Sequence, residues 1–318
     1  MLIRRSRRFA FTLQELLILV GIFVVVVLLA IPALAKAREA SGRARCANNL
    51  RRIGEACYGF ENTYGFFPSS IKELGPQRSW AMQILPWVEQ EELARQYDYE
   101  KPWYDTANAE AVRHQVPLFY CPSTPYGPRT ASGTASIKTT DANGDPVRTK
   151  VHFSDAACTD YAAIHQVRKE AFVRGFVEKA GAGMLAEDLF PRRSDVPDGL
   201  SNTLMIVEAA GQPDEWMGRR LTRNNIKPED AVLASRDNDF SLRGFSWDAA
   251  TQTYSNVHSG PCAINCSNIE GVYSFHQGGA QAILGDGSVR FLRQDVSTRH
   301  LARLVTRAGG ETVDWNDY

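Results

Sequence analysis

Apolar and polar positions divide this chain into one extreme stretch and one ordinary one. From Leu16 to Ala35 no residue is charged (LLILVGIFVVVVLLAIPALA), and as a helix this run rises about 30 Å, the hydrocarbon thickness of a bilayer. Beyond it Cys46, Leu50, Ile53, Cys57, Phe60 and Tyr64 recur at alternating spacings of four and three. That is one apolar stripe, and it predicts that the helix continues to about Asn62. A stripe covered by the chain's own sheet is the preferred reading; an intermolecular coiled coil is the alternative. Glu15 stands at the edge of the apolar run, where a carboxylate carried to mid-bilayer costs up to about 3 kcal/mol and so calls for the interface or a partner. Pro32 lacks a backbone donor and is expected to kink or loosen the helix near its far end.

After the turn signals Tyr64-Gly65 and Pro68, the segment SWAMQILPWVEQEELARQYDY places Trp80, Ile84, Leu85, Trp87, Val88 and Leu93 on the buried side of one or two short helices. Residues 123–150 are rich in Gly, Ser, Thr, Pro and charge and read as a loop or hairpin insertion. Within them Asp141, Asn143 and Asp145 have the alternate spacing that opens a calcium loop, but Pro146 stands where the turn glycine belongs and His152 where a bidentate glutamate should close it. A solvated turn is the better reading. The second half predicts strands: TLMIVEA (203–209), then GVYSFHQGGAQAILGDGSVRFL as three strands broken at Gly278-Gly279 and Asp286-Gly287. A closing helix over 297–306 buries Leu301, Leu304 and Val305. The expected fold class is α+β, a long N-terminal transmembrane helix on an antiparallel sheet with a strand-rich C-terminal elaboration.

Charge refines this picture. Lysines and arginines number 36, aspartates and glutamates 36, but Arg4, Arg5, Arg7 and Arg8 crowd the first ten residues, so the rest is mildly acidic. No basic face for a nucleic acid is expected. Basic residues lie on both sides of the apolar run, Lys36, Arg38, Arg43, Arg45, Arg51 and Arg52 following it, and a positive-inside count does not set its orientation. Ala33-Leu34-Ala35 also reads as a small-x-small cleavage site, which leaves a removed signal peptide as an alternative to an anchor.

Six cysteines allow fifteen full pairings. Cys46 and Cys57 on one helix lie about 16 Å apart, too far for a disulfide. Cys262 and Cys266 are close enough in a loop to bridge, and Cys121 with Cys158 is the next pairing expected; a small buried apolar role is the alternative for each. His276 and Asp286 could meet across the meander as an imidazole–carboxylate pair for acid–base work or metal binding. The simpler reading leaves both to turn chemistry, Asp286 in a DG turn and His276 entering a GG turn. No G-x-S-x-G, H-E-x-x-H or C-x-x-C pattern and no phosphate loop is present, so neither a catalytic activity nor a cofactor is expected.

The stretch RRFAFTLQELL with its apolar run resembles the leader and first helix of type IV pilins and type II secretion pseudopilins. The resemblance implies cleavage by a prepilin peptidase and methylase between Ala10 and Phe11, with residues 1–10 a leader and 11–35 a transmembrane helix continued over 36–62. The family's glutamate falls on Glu15 and its helix-loosening proline on Pro32; Ala10 departs from the usual glycine and Gln14 from a usual apolar residue. The blocks CANNLRRIGEACYGFENTYGFFPSS, SWAMQILPWVEQEEL, FYCPS, PDGLSNTLMIVEAAG and SFHQGGAQAILGDGSVRFL resemble, in order, the bacterial domain of unknown function 1559, whose C-terminal H-x9-DG motif falls on His276 and Asp286-Gly287, within 272–292. An older label for part of that family is a solute-binding domain. Together these resemblances imply a single-pass inner-membrane protein with a cytoplasmic N-terminus and an extracytoplasmic domain over 63–318. Its implied role is that of a non-catalytic subunit assembling with like subunits through the first helix. The alternative is a surface-tethered solute- or glycan-binding module, for which a concave aromatic pocket would speak.

Overall fold

The structure, a computed structural model, describes residues 12–72, 75–140, 145–168, 181–257 and 260–318. Ala10, Phe11, Asp141 and Asn143 lie outside the described residues. Helix α1, Leu13–Tyr64, is assigned without a break and includes Pro32. The chain divides into two units at Ser41/Gly42. In the first, every described residue from Thr12 to Arg38 is exposed. This is the one helix among the described residues long and apolar enough to cross a membrane.

In the second unit the helix buries Cys46, Leu50, Ile53, Gly54, Ala56, Cys57 and Phe60. That is the predicted stripe, except that Tyr64 is exposed. The same unit holds a hairpin, β1 (Thr130–Thr140) and β2 (Pro146–Ala157), antiparallel from Thr130↔Ala157 to Thr140↔Pro146. The insertion is therefore a hairpin, running past residue 150. Its central sheet is formed by β3 (Tyr161–Val167), β4 (Leu204–Glu208), β5 (Asp239–Leu242), β6 (Gly279–Leu284) and β7 (Val289–Arg293), in the order β5-β3-β4-β6-β7. Gly181–Ala182 adds a short edge strand on β3. The pairs are antiparallel except β5 with β3.

Both faces of β4 and β6 are buried along their whole length, which is why, apart from Glu208 and Gln281, their residues are apolar or glycine on both faces rather than alternating. On one face Leu50 and Ile53 of α1 share a core with Tyr161, Ile206 and Ile283. On the other, helix α2 (Thr298–Val305) packs Leu301, Leu304 and Val305 against Val207, Ala282 and Leu284. Ser297 caps α2 by accepting from the His300 amide at 3.2 Å. At Gly54 a Cβ would run into Ile283 Cδ1, so the glycine sets how closely α1 lies on the sheet.

One expected strand is corrected. Residues 272–276 make only isolated bridges, Val272 with Ile264 and Tyr273 with Ala209, both parallel. Backbone partners change at each step: the Asn265 amide donates to the Val272 carbonyl, the Tyr273 amide to the Glu208 carbonyl, and the Ser274 amide to the Asn265 side chain. No ladder can propagate when successive groups bond to different segments. The meander is thus two strands, β6 and β7, preceded by a tethered link.

Candidate functional site

The expected helices of the aromatic block form as Trp80–Gln83, a 3₁₀ turn Leu85–Trp87 that Pro86 imposes, and Glu91–Gln96. Trp80, Ile84, Leu85, Val88 and Leu93 are buried as expected. Trp87 is only partly buried, and with Phe60, Tyr64, Phe66, Tyr99 and Phe190 it lines an open cleft of about 540 Å³. The rings meet edge to face, Phe60 to Trp87 at 5.5 Å and Phe66 to Phe190 at 5.1 Å. At the wall Arg78 lies 5.3 Å over the Tyr99 ring and donates to the Tyr99 carbonyl at 2.9 Å. Sequence reasoning assigned Trp87 to the core because Ile84, Leu85 and Val88 flank it closely; the polar run Glu89-Gln90-Glu91-Glu92 that follows is the one local sign of an open side.

The second concentration of chemistry is buried. Four segments bring one side chain each to one point: Cys46 from α1, Cys121 from the loop after the 3₁₀ turn Pro117–Phe119, Glu208 from the last position of β4, and His276 from the link before β6. Their exposures are 0%, 2%, 0% and 0%. Cys46 and Cys121 form a disulfide, with Cα atoms 5.3 Å apart. The pairing expected of Cys121 is therefore corrected: Cys158 is a free buried thiol, as is Cys57, and burial pushes each up to about 12. Cys262 and Cys266 are bonded to each other.

Around the disulfide, His276 Nε2 lies 3.4 Å from Cys121 Sγ and 3.4 Å from Glu208 Oε1. Glu208 Oε2 accepts from the Gln281 amide at 2.6 Å. Burial raises the Glu208 carboxyl, and the imidazole only partly offsets it. The Cys121 loop is held by Asp160, which is fully buried, accepts from the Cys121 amide and the Thr124 hydroxyl at 2.9 Å each, and is ion-paired to Arg129. His276 is fixed through its backbone: its amide donates to Ser274 Oγ at 3.1 Å and its carbonyl accepts from Arg219 at 2.6 Å.

The other expected sites stand apart. His276 precedes β6 and Asp286 follows it, at opposite ends of a strand about 20 Å long, so the two do not form a pair. Asp286 serves its own turn, its Oδ1 accepting from the Ser288 amide at 2.8 Å, with Gly287 at φ 83°. The turn reading thus describes Asp286 but not His276. Glu15 sits in the first turn of α1, its Oε2 accepting from the Thr12 amide and hydroxyl at 2.9 Å each. A third cluster that the sequence did not announce joins His165 Nδ1 to Asp239 Oδ2 at 3.1 Å, with Glu187 at 3.6 Å from Nε2.

Residues 35–298 match the family model described as a protein of unknown function, DUF1559, and the chain belongs to that family. The matched region contains the buried cluster, the aromatic cleft and the whole central sheet. No curated protein and no solved structure matches the chain.

Proposed function

We propose that this DUF1559 member is a membrane-anchored, pilin-like structural subunit of an envelope or secretion-type assembly, acting by anchoring and display rather than by catalysis. The observation that supports this reading is the division of α1. Its uncharged run is exposed throughout, while its Cys46–Phe60 stripe is part of the domain core. Burying a large aliphatic side chain is favourable by about 1.5–3 kcal/mol, so so many exposed ones call for lipid, like helices or both. On this reading a prepilin peptidase cuts before Phe11 and methylates it. Glu15 then pairs with the Phe11 amino group of a neighbouring subunit, which offsets the cost of a carboxylate near lipid. The N-terminus lies in the cytoplasm and the domain outside the inner membrane, the compartment in which its disulfides would persist.

The test is the intact mass of the protein purified from its own membranes, together with Glu15→Ala. The reading expects a chain that begins at methylated Phe11 and a variant that is lost from the extracted assembly. A chain beginning at Lys36, or a variant incorporated as well as wild type, overturns it.

One observation favours a second reading, a surface-tethered solute- or glycan-binding module: the aromatic cleft beside the end of α1. Titration with a panel of oligosaccharides, followed by Trp fluorescence, is expected to give saturable changes that Trp87→Ala abolishes. Flat titrations across the panel remove the glycan form of this reading.

A further inference from the structure

We infer that Cys46, Cys121, Glu208 and His276 form a binding site for a single zinc-like divalent cation in the reduced protein, and that the disulfide and the bound cation are mutually exclusive states of one site. The first ground is the donor set. One ligand atom from each of these four buried residues lies within 4.8 Å of the other three, and two thiolates, an imidazole and a carboxylate are the groups a tetrahedral zinc ion takes. The second ground is distance. Zinc bonds of about 2.0–2.3 Å put the edges of the tetrahedron at roughly 3.3–3.8 Å. His276 Nε2 stands 3.4 Å from both Cys121 Sγ and Glu208 Oε1. For the carboxylate that separation is longer than an ordinary N–H···O hydrogen bond of about 2.7–3.2 Å, and a single nitrogen cannot donate one proton fully to both the carboxylate and the sulfur. The spacing suits two ligands of one ion better than a hydrogen-bonded pair.

The third ground is what surrounds the donors. Glu208 Oε2 is held by the Gln281 amide, which leaves Oε1 turned to the imidazole. The Cys121 amide is pinned by Asp160, and the His276 carbonyl by Arg219. Such outer contacts orient ligands before an ion arrives.

Interconversion balances as thiol–disulfide exchange. A dithiol reductant supplies two electrons: its thiolate attacks one sulfur of the Cys46–Cys121 bond, its second thiol resolves the mixed disulfide, and a cyclic disulfide leaves. The two freed thiols lose two protons on binding the cation, with the imidazole neutral and the carboxylate ionised. Their sulfurs need only separate to about 3.8 Å, the S–S edge expected for zinc. In the reverse direction a low-molecular-weight disulfide accepts the same two electrons: one cysteine thiolate attacks it and expels one thiolate, the second cysteine resolves the mixed disulfide and expels the other, and the ion is released.

The experiment uses the full chain in detergent, reduced with a phosphine that is then removed, and titrated with Zn²⁺ and separately with Co²⁺. We expect one zinc per chain, protection of two thiols from alkylation at Cys46 and Cys121, and a cobalt spectrum with tetrahedral thiolate character. Glu208→Gln and His276→Gln should each weaken zinc binding by more than about tenfold while still forming the Cys46–Cys121 disulfide on oxidation, which certifies that they fold. The oxidised wild type should bind no zinc at this site. The inference is overturned if the reduced wild type takes up no stoichiometric zinc. It is equally overturned if both variants bind as wild type does, since the ion then sits elsewhere, as at His165, Glu187 and Asp239.

Discussion

Removing the Cys46–Cys121 cross-link tests the reading of the core most directly. The bond joins residues 75 apart in sequence, tying the first helix of the domain to the loop before the β1–β2 hairpin. In the chain-entropy model a closed loop of that length stabilises the folded state by about 4.5 kcal/mol at 25 °C. Cys46→Ala with Cys121→Ala should therefore cost on the order of 3–5 kcal/mol, the lower end allowing for residual structure in the unfolded chain. With a urea dependence of about 2–3 kcal/mol per molar for a domain of this size, the unfolding midpoint falls by roughly 1–2 M. The assay is urea unfolding of the full chain in detergent, under non-reducing conditions with a chelator present, followed by Trp fluorescence. The control is Cys158→Ala, which leaves the cross-link intact and removes one buried sulfur, at a cost of about 1 kcal/mol. If Cys158→Ala proved the costly change and Cys46→Ala the cheap one, Cys121 would be bonded to Cys158 and the arrangement drawn here for the cluster would be wrong.

Three further outcomes follow from other contacts. Burial pulls the His165 imidazole down, but Asp239 and Glu187 outweigh it and its pKa is raised; this contribution is full below the unfolded value of about 6.5 and lost as pH rises through the folded one. The melting temperature should accordingly decline above that value, and Asp239→Asn should flatten the decline; an unchanged profile in the variant removes His165 as its source. Gly54→Val places a branched side chain against Ile283 Cδ1 and should cost about 1–3 kcal/mol in the same urea assay, whereas a neutral result means that the Ile283 side chain or α1 shifts to make room. Gly287→Ala, at φ 83°, should cost about 1 kcal/mol or more, and an unchanged midpoint would show that the turn readily relaxes.

The helical and turn elements were legible because their signals are local. The spacing of Cys46, Leu50, Ile53, Cys57 and Phe60 alone names the buried face of α1, and Leu301, Leu304 and Val305 do the same for α2. Pro86 announces the break between the short aromatic helices. The sheet was legible only in part. β4 and β6 are strong apolar runs, but YAAIHQV, which becomes β3, carries His165 and Gln166 and has no clean period. It is a strand because β4 and β5 pair on its two sides, one antiparallel and one parallel, and that is tertiary information.

The cluster around His276 shows why spacing alone misled. Nine residues between His276 and Asp286 suggest a pair, yet a six-residue strand fills most of that gap and carries the ends apart. What the spacing sets instead is register. With Ala282 opposite Val207 and the Gln281 amide on Glu208, the residues before β6 must arrive where β4 ends, so His276 meets Glu208. At the other end the Asp286 amide reaches the Leu200 carbonyl, where β4 is about to begin. The motif therefore clamps one strand at both ends, and only its histidine end carries ligand chemistry. The helix narrows the choice for Cys46 only this far: with Cys57 out of reach on the same helix, any partner has to come from a distant segment. Choosing Cys121 over Cys158 required knowing that Asp160 draws the Cys121 loop beneath α1, a contact across 39 residues that no local pattern encodes.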